Sequence, residues 1–238
     1  MNTAKMTRKQ IAKANQKLAV ITDGCNPELL KGADFDGNLE IPIIKKPEKI
    51  MIPKGIVPFS EMERVLPEKF AVCEYENDRD FAELLRDPSV YVKELRKFQA
   101  FITPDASLYW DMPLAAQIVN KYRNHVIGHY MQSQGIYTIP NVRWGDERTY
   151  TTKYLPEPLA FLGIEKHSIV SIGTYGVVKS KEEKKHFRAG LEAMLNILEP
   201  ETVLVYGSMS EDIFDDYWKV AHFVKYPDWT SYIRAEGK

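Results

Sequence analysis

The sequence predicts an α/β fold built of parallel β/α units. Three observations carry this. Short apolar runs alternate with amphipathic stretches from residue 68 to residue 206. The runs are apolar throughout, as suits strands covered on both faces. Polar or aromatic residues follow each run directly. Regular alternation of strand and helix implies a parallel sheet with right-handed crossovers. Two architectures satisfy the pattern: a TIM-barrel-like or incomplete barrel, and an open doubly wound sheet. Five strands plus two or three from residues 40–60 approach eight, which tilts the expectation towards the barrel.

Residues 1–22 carry Lys5, Arg8, Lys9, Lys13 and Lys17 and no acid. Lys9, Lys13 and Lys17 stand four apart, on one helix face. The segment reads as a basic N-terminal arm or helix ahead of a single α/β domain over 23–238. A solvated terminus is the plain interpretation; contact of residues 1–20 with nucleic acid is the sharper one. Residues 23–60 hold too many Gly and Pro for a long helix. Asp34 to Asn38 has the look of a calcium loop, but its Gly is misplaced and no Glu closes it in register, so a turn is expected. Ile41–Ile44, Ile50–Ile52 and Ile56–Phe59 are short extended pieces.

The regular part begins with a strand at Phe70–Cys73. Helices over 80–85 and 88–98 follow, the second with Asp87 as N-cap and Pro88 at its first position. Residues 100–103 form a strand. Residues 113–134 form a long helix stopped by Gly135. Residues 136–139 form a strand, and residues 156–162 a short helix. Residues 168–173 form a strand. Residues 181–198 form a helix, with Phe187, Leu191, Met194, Leu195 and Leu198 at 3–4 spacing. Residues 202–206 form the fifth strand.

Composition narrows the function. Lys and Arg number 32 and Asp and Glu 33, a net charge of −1. That speaks against a protein held to nucleic acid mainly by bulk positive charge. No run reaches the ~18 apolar residues of a membrane span, and the N-terminus lacks a secretory apolar core. Cys25 and Cys73 are the only cysteines and make no metal motif, which suits a reducing, cytoplasmic setting.

In parallel α/β folds, sites lie at the carboxyl ends of the strands, where loops and helix N-termini converge. Those ends offer Glu76, Asp105 and Asp146 from three separate strands. Such carboxylates can share general acid and base work, with Asp105 as the principal group and Glu76 or Asp146 as its partner. They can equally hold a divalent cation such as magnesium through oxygen, or simply cap helices and fix loops. Tyr109 and Trp144 would be stacking walls for a sugar or nucleoside, Arg143 an anion clamp, and Asn141, Thr174 and Tyr206 further lining. His125 and His129 stand four apart but lack the Glu of a zinc-protease helix, so a structural role is expected. The Gly173–Gly176 turn before a helix is a weak phosphate-binding pattern.

Several segments in order carry a resemblance: Thr103-Pro104-Asp105-Ala106-Ser107-Leu108-Tyr109, Met112-Pro113-Leu114-Ala115, Asn120-Lys121-Tyr122-Arg123, Ile127-Gly128, Gln132-Ser133-Gln134-Gly135 and Ile139-Pro140-Asn141-Val142-Arg143-Trp144. Over about residues 55–210 the chain resembles a bacterial and phage family known only as a domain of unknown function. Gly173-Thr174-Tyr175-Gly176 and Tyr206-Gly207 fit its later segments. The family pattern often has Ser where this chain has Arg143, which sets that position apart. The resemblance implies a cytoplasmic protein, often carried on mobile elements, and no activity. The resulting expectation is a small-molecule or nucleotide pocket at the strand ends, with hydrolysis as the favoured reaction. The alternative is a phage or mobile-element protein that binds nucleic acid or a host protein without catalysis.

Overall fold

A computed structural model describes residues 26–176 and 178–237. The basic arm, and with it the expected nucleic-acid contact of residues 1–20, lies outside them, as does Cys25. Strands β1 (Phe35–Asp36) and β2 (Ile41–Pro42) form an antiparallel hairpin. Its connection is the turn expected after Asp34, with Gly37 at φ 66°.

Seven parallel strands follow: β3 (Gly55–Pro58), β4 (Phe70–Cys73), β5 (Ala100–Ile102), β6 (Thr138–Ile139), β7 (Ile169–Gly173), β8 (Thr202–Tyr206) and β9 (His222–Tyr226). β3 to β6 pair in chain order, and so do β7 to β9. One parallel bridge, Asn141 to Ser171, joins the two sets. Among the described residues no pairing links β9 to β3. The sheet is therefore open, as in the second of the two expected architectures, and is not a closed barrel.

Period-2 alternation sorts the strand side chains into separate cores. Ile56, Cys73, Ile102, Ile139, Leu204 and Tyr226 share one cluster on one face. Val57, Val72 and Phe101 face the opposite way and pack with residues of the long helix. Val170, Ile172, Val203 and Val205 pack against Leu191 and Met194. Both faces are thus covered, which accounts for runs without polar alternation.

The helices are α1 (Ala82–Arg86), α2 (Val92–Leu95), α3 (Leu114–Ser133), α4 (Glu147–Tyr150), α5 (Lys181–Leu198), α6 (Glu211–Phe214) and α7 (Trp229–Ala235). α5 has the predicted bounds. Ser180 and Glu183 form a reciprocal capping box at its start, and Glu199 ends it in the left-handed region at φ 46°. The helix expected over 88–98 is instead a 3-10 turn, Pro88–Tyr91, leading into α2. Asp87 makes no side-chain cap bond there; it accepts from the Ser89 hydroxyl. The helix expected over 156–162 shrinks to the turn Leu159–Phe161. β9 and α7 lie in a tail left unassigned from the sequence. β9 is a half-exposed edge strand, so it lacks the apolar run that marks the others. Among the described residues no helix is long and apolar enough to cross a membrane.

Candidate functional site

The loop after β5 is built first. Asn124 on α3 exchanges two hydrogen bonds with Ala106: Ala106 N donates to Oδ1 at 3.0 Å, and Nδ2 donates to Ala106 O at 3.2 Å. Asn120, one turn earlier, donates to Ser107 O at 2.7 Å. Asn is a poor helix former because its amide competes for nearby backbone. Here two asparagines four apart hold the loop through its backbone.

That loop presents Asp105, which is 9% exposed. Its Oδ1 accepts from Asn141 Nδ2 at 2.7 Å, and its Oδ2 lies 3.3 Å from Arg143 Nη1. Tyr75 Oη donates to Asn141 Oδ1 at 3.0 Å and lies 2.7 Å from Ser171 Oγ. A phenol has one proton, so the Ser171 hydroxyl donates to Tyr75. A directed chain results, Ser171 to Tyr75 to Asn141 to Asp105. It ties the ends of β4, β5 and β6 to the middle of β7 at the bridge between the two strand sets. Burial raises the Asp105 pKa, while the Arg143 charge and the Asn141 amide hold it down. The Arg143 guanidinium also lies 5.9 Å from the centre of the Tyr109 ring.

Arg143, Tyr109 and Trp144 line an open cleft of about 50 Å³ at the strand carboxyl ends, together with Trp110, Glu183 and His186. Trp144 is buried against Phe187, with ring centres 5.1 Å apart. Trp110 and His186 stack at 6.3 Å. Asn141 and Asp105 stand behind Arg143 rather than on the cleft wall.

The three expected carboxylates do not meet. Glu76 accepts from Ser60 N at 3.1 Å and lines a second cleft of about 200 Å³, with Tyr75 and Tyr206. Asp146 caps α4 through Arg148 N at 3.1 Å and pairs with Arg148 Nε at 2.9 Å. That is the capping alternative weighed for each acid. The preceding Gly145, a lining residue of the first cleft, donates its N–H to Thr149 Oγ1 in α4 at 3.1 Å. Thr174 is buried and donates to Ser208 O at 2.8 Å, holding the Gly173–Gly176 turn. This turn serves both clefts: Gly173 and Gly176 line the first and Tyr175 the second. The amides nearest the start of α5, on Lys179 and Ser180, are taken by Glu183, so they are not free for phosphate.

The histidines have structural partners: His125 Nδ1 lies 2.9 Å from Pro42 O, and His129 Nε2 3.4 Å from Lys31 O. Beside His125, Lys121 is buried, donates to Ala160 O at 2.9 Å, and has its pKa lowered by burial to about 7. Cys73 is a free, buried thiol. Among the described residues no three His, Cys, Asp or Glu side chains converge as metal ligands. Sequence reading offers Glu74 as one of the polar residues at the end of the first strand; what it missed is the burial, 1% exposed with neither carboxylate oxygen hydrogen-bonded. Its only signal was a carboxylate directly continuing an apolar run. Tyr75 and Ser171 were also missed, because a strand Tyr and Ser look like ordinary packing until the strands are paired.

The fold and the site define a class: an open, parallel α/β protein whose strand carboxyl ends carry a charged, aromatic cleft. Within that class, the chain belongs to the family described as Domain of unknown function (DUF4417), whose model matches residues 33–227. It is 31% identical over 163 residues to the "Gene 1 protein" of Mycobacterium phage L5, covering 68% of each chain. It is 34% identical over 133 residues to the "Gene 1 protein" of Mycobacterium phage D29, covering 56% of this chain and 47% of that one. The chain thus spans about half the length of the D29 relative. No solved structure matches it.

Proposed function

We propose that this phage-related protein binds a small anionic molecule of the nucleotide class in the cleft beside Arg143 and hydrolyses it, with Asp105 moving the proton. One observation carries the reading: a nearly buried guanidinium, held by Asp105 and facing Tyr109, on the wall of a cleft at the strand carboxyl ends. A guanidinium has five donors, and only Nη1 is committed to Asp105. The rest are available to a phosphate or carboxylate in bidentate fashion. Exposed Tyr109 and Trp110 give a base or sugar aromatic surfaces to lie against, and buried Trp144 backs the wall. Burial makes Asp105 a better proton acceptor than a free carboxylate. Standing behind Arg143, it reaches an attacking water once the substrate has drawn the guanidinium forward; it then takes that water's proton and returns it to the leaving oxygen. Asn141 orients Asp105, Thr174 holds the turn, and Asp146 anchors the floor. Glu76 and Tyr206 belong to the second cleft and stand outside this reading.

The test is a panel of nucleoside mono-, di- and triphosphates and nucleosides, followed by chromatography and calorimetry. It is run with magnesium and with EDTA, because magnesium takes oxygen ligands and can enter on the phosphates. Wild type binds and turns over at least one member. Arg143→Ala weakens binding about ten- to a hundredfold, the size of one charge-assisted contact. Asp105→Asn keeps binding and loses turnover. If Asp105→Asn merely lowers the melting temperature, or no member binds, the reading fails.

A further inference from the structure

We propose that Trp110 is the platform on which the substrate's base stacks, and that it makes the first cleft selective for purine nucleotides. The inference rests on the nucleotide reading above and names the base which that reading leaves open. The space held between the cleft walls is about 50 Å³. Pockets that enclose a ligand run from about 300 Å³ upward. A base is therefore not enclosed here; it has to lie on an exposed ring of the wall. Trp110 is 43% exposed and belongs to none of the apolar cores among the described residues. It directly follows Tyr109, the ring over which Arg143 lies, so the anion clamp and the indole are neighbours.

The backbone around this indole is fixed before any ligand arrives. Arg148 Nη2 donates to Trp110 O and to Met112 O, both at 3.0 Å, and Gln117 Nε2 donates to Met112 O at 2.9 Å. Arg148 is itself held by Asp146, whose two oxygens each lie 2.9 Å from Nε. The ring, by contrast, is only half covered. Its ring partner is His186, inclined at 12° with centres 6.3 Å apart, towards the outer end of the range of about 4.5–7 Å in which rings pair. His186 offers the ligand no free nitrogen: Nδ1 lies 3.2 Å from Tyr150 Oη and Nε2 3.2 Å from Glu182 Oε1. A fixed backbone under a half-bare indole suits a stacking ligand, because binding then costs no loop ordering. Stacking a base on an aromatic side chain changes affinity about five- to 150-fold. A purine lays two fused rings on the indole and a pyrimidine one, so the larger base gains more. Asp146 and Arg148 thereby become positioning residues that act through Trp110.

The probes are GMP, AMP, CMP, UMP and ribose 5-phosphate, titrated into the full-length protein by calorimetry, with quenching of indole fluorescence as a second readout. The purine nucleotides are expected to bind about threefold or more tighter than the pyrimidine ones and about tenfold or more tighter than ribose 5-phosphate. The nucleotides quench and ribose 5-phosphate does not. Trp110→Ala brings all five to the ribose 5-phosphate level and removes the quench, with the melting temperature unchanged because the ring lies outside the cores. Trp110→Tyr restores part of the purine preference. Arg148→Gln narrows that preference yet leaves ribose 5-phosphate binding as in wild type, a split that a general loss of structure does not produce. Arg143→Ala weakens all five together. Equal binding of GMP and ribose 5-phosphate, or an undiminished purine preference in Trp110→Ala, would overturn this proposal and leave the anion site at Arg143 standing. If none of the five binds, the nucleotide reading falls and this proposal falls with it.

Discussion

At the scale of single residues, the most informative group is Glu74. Burial, with Glu76 and Asp105 adding like charge, raises its pKa well above the ordinary carboxylate range. The native state therefore holds a proton that the unfolded chain has released. Between the unfolded pKa and the raised native one, the native state binds more protons. Stability falls as pH rises through that window, by at most about 1.4 kcal/mol for each pH unit. Glu74→Gln removes the penalty. We expect it to raise the melting temperature at pH 8 and to leave it nearly unchanged at pH 4, by calorimetry at both values. A destabilised variant at pH 8 would mean that the carboxylate is ionised and partnered. The same logic explains why the burial of Glu74 was missed from the sequence. Its position next to Glu76 looks like a polar strand end, and only the packing around Phe70–Cys73 shows it enclosed.

At the scale of elements, α5 decides how tightly the first cleft is walled. A Cβ on Gly190 would lie 2.2 Å from Trp144 Nε1, so the glycine is what lets the helix approach the indole. Helix propensity alone would make Gly190→Ala stabilising by about 1 kcal/mol. Overpacking against a buried indole costs about 1–3 kcal/mol and is expected to win. Urea denaturation should show a lower midpoint, with altered Trp144 fluorescence; a higher midpoint would place the helix further from the cleft. α5 was fully legible because its apolar spacing and the Pro200 beyond its end agree. The strands at residues 70–73 and 202–206 were legible because both faces are buried. The 88–98 helix was misread because a Pro after Asp imitates a cap whose side chain bonds elsewhere. β9 was missed because an edge strand needs no apolar run.

At the scale of the whole molecule, strand order sets what can meet. Strands laid down in chain order, joined at Asn141–Ser171, bring Asp105, Asn141 and Arg143 into contact. They leave Glu76 in one cleft and Asp146 at a helix cap. That the tips carry charge and aromatics was readable from sequence; which tips face one another was not, because pairing and loop direction are three-dimensional. The directed chain from Ser171 to Asp105 crosses that junction and can hold only if the two strand sets are joined as described.

The most direct measurement is a map of backbone amide and Arg143 Nε–H shifts on titrating the tightest-binding nucleotide of the panel. The account predicts the largest changes at residues 105–110, 142–145 and 173–176, with Arg143 Nε–H moving alongside them. Changes gathered instead at the amino ends of the strands, near residues 54, 69, 99, 168 and 201, would contradict it.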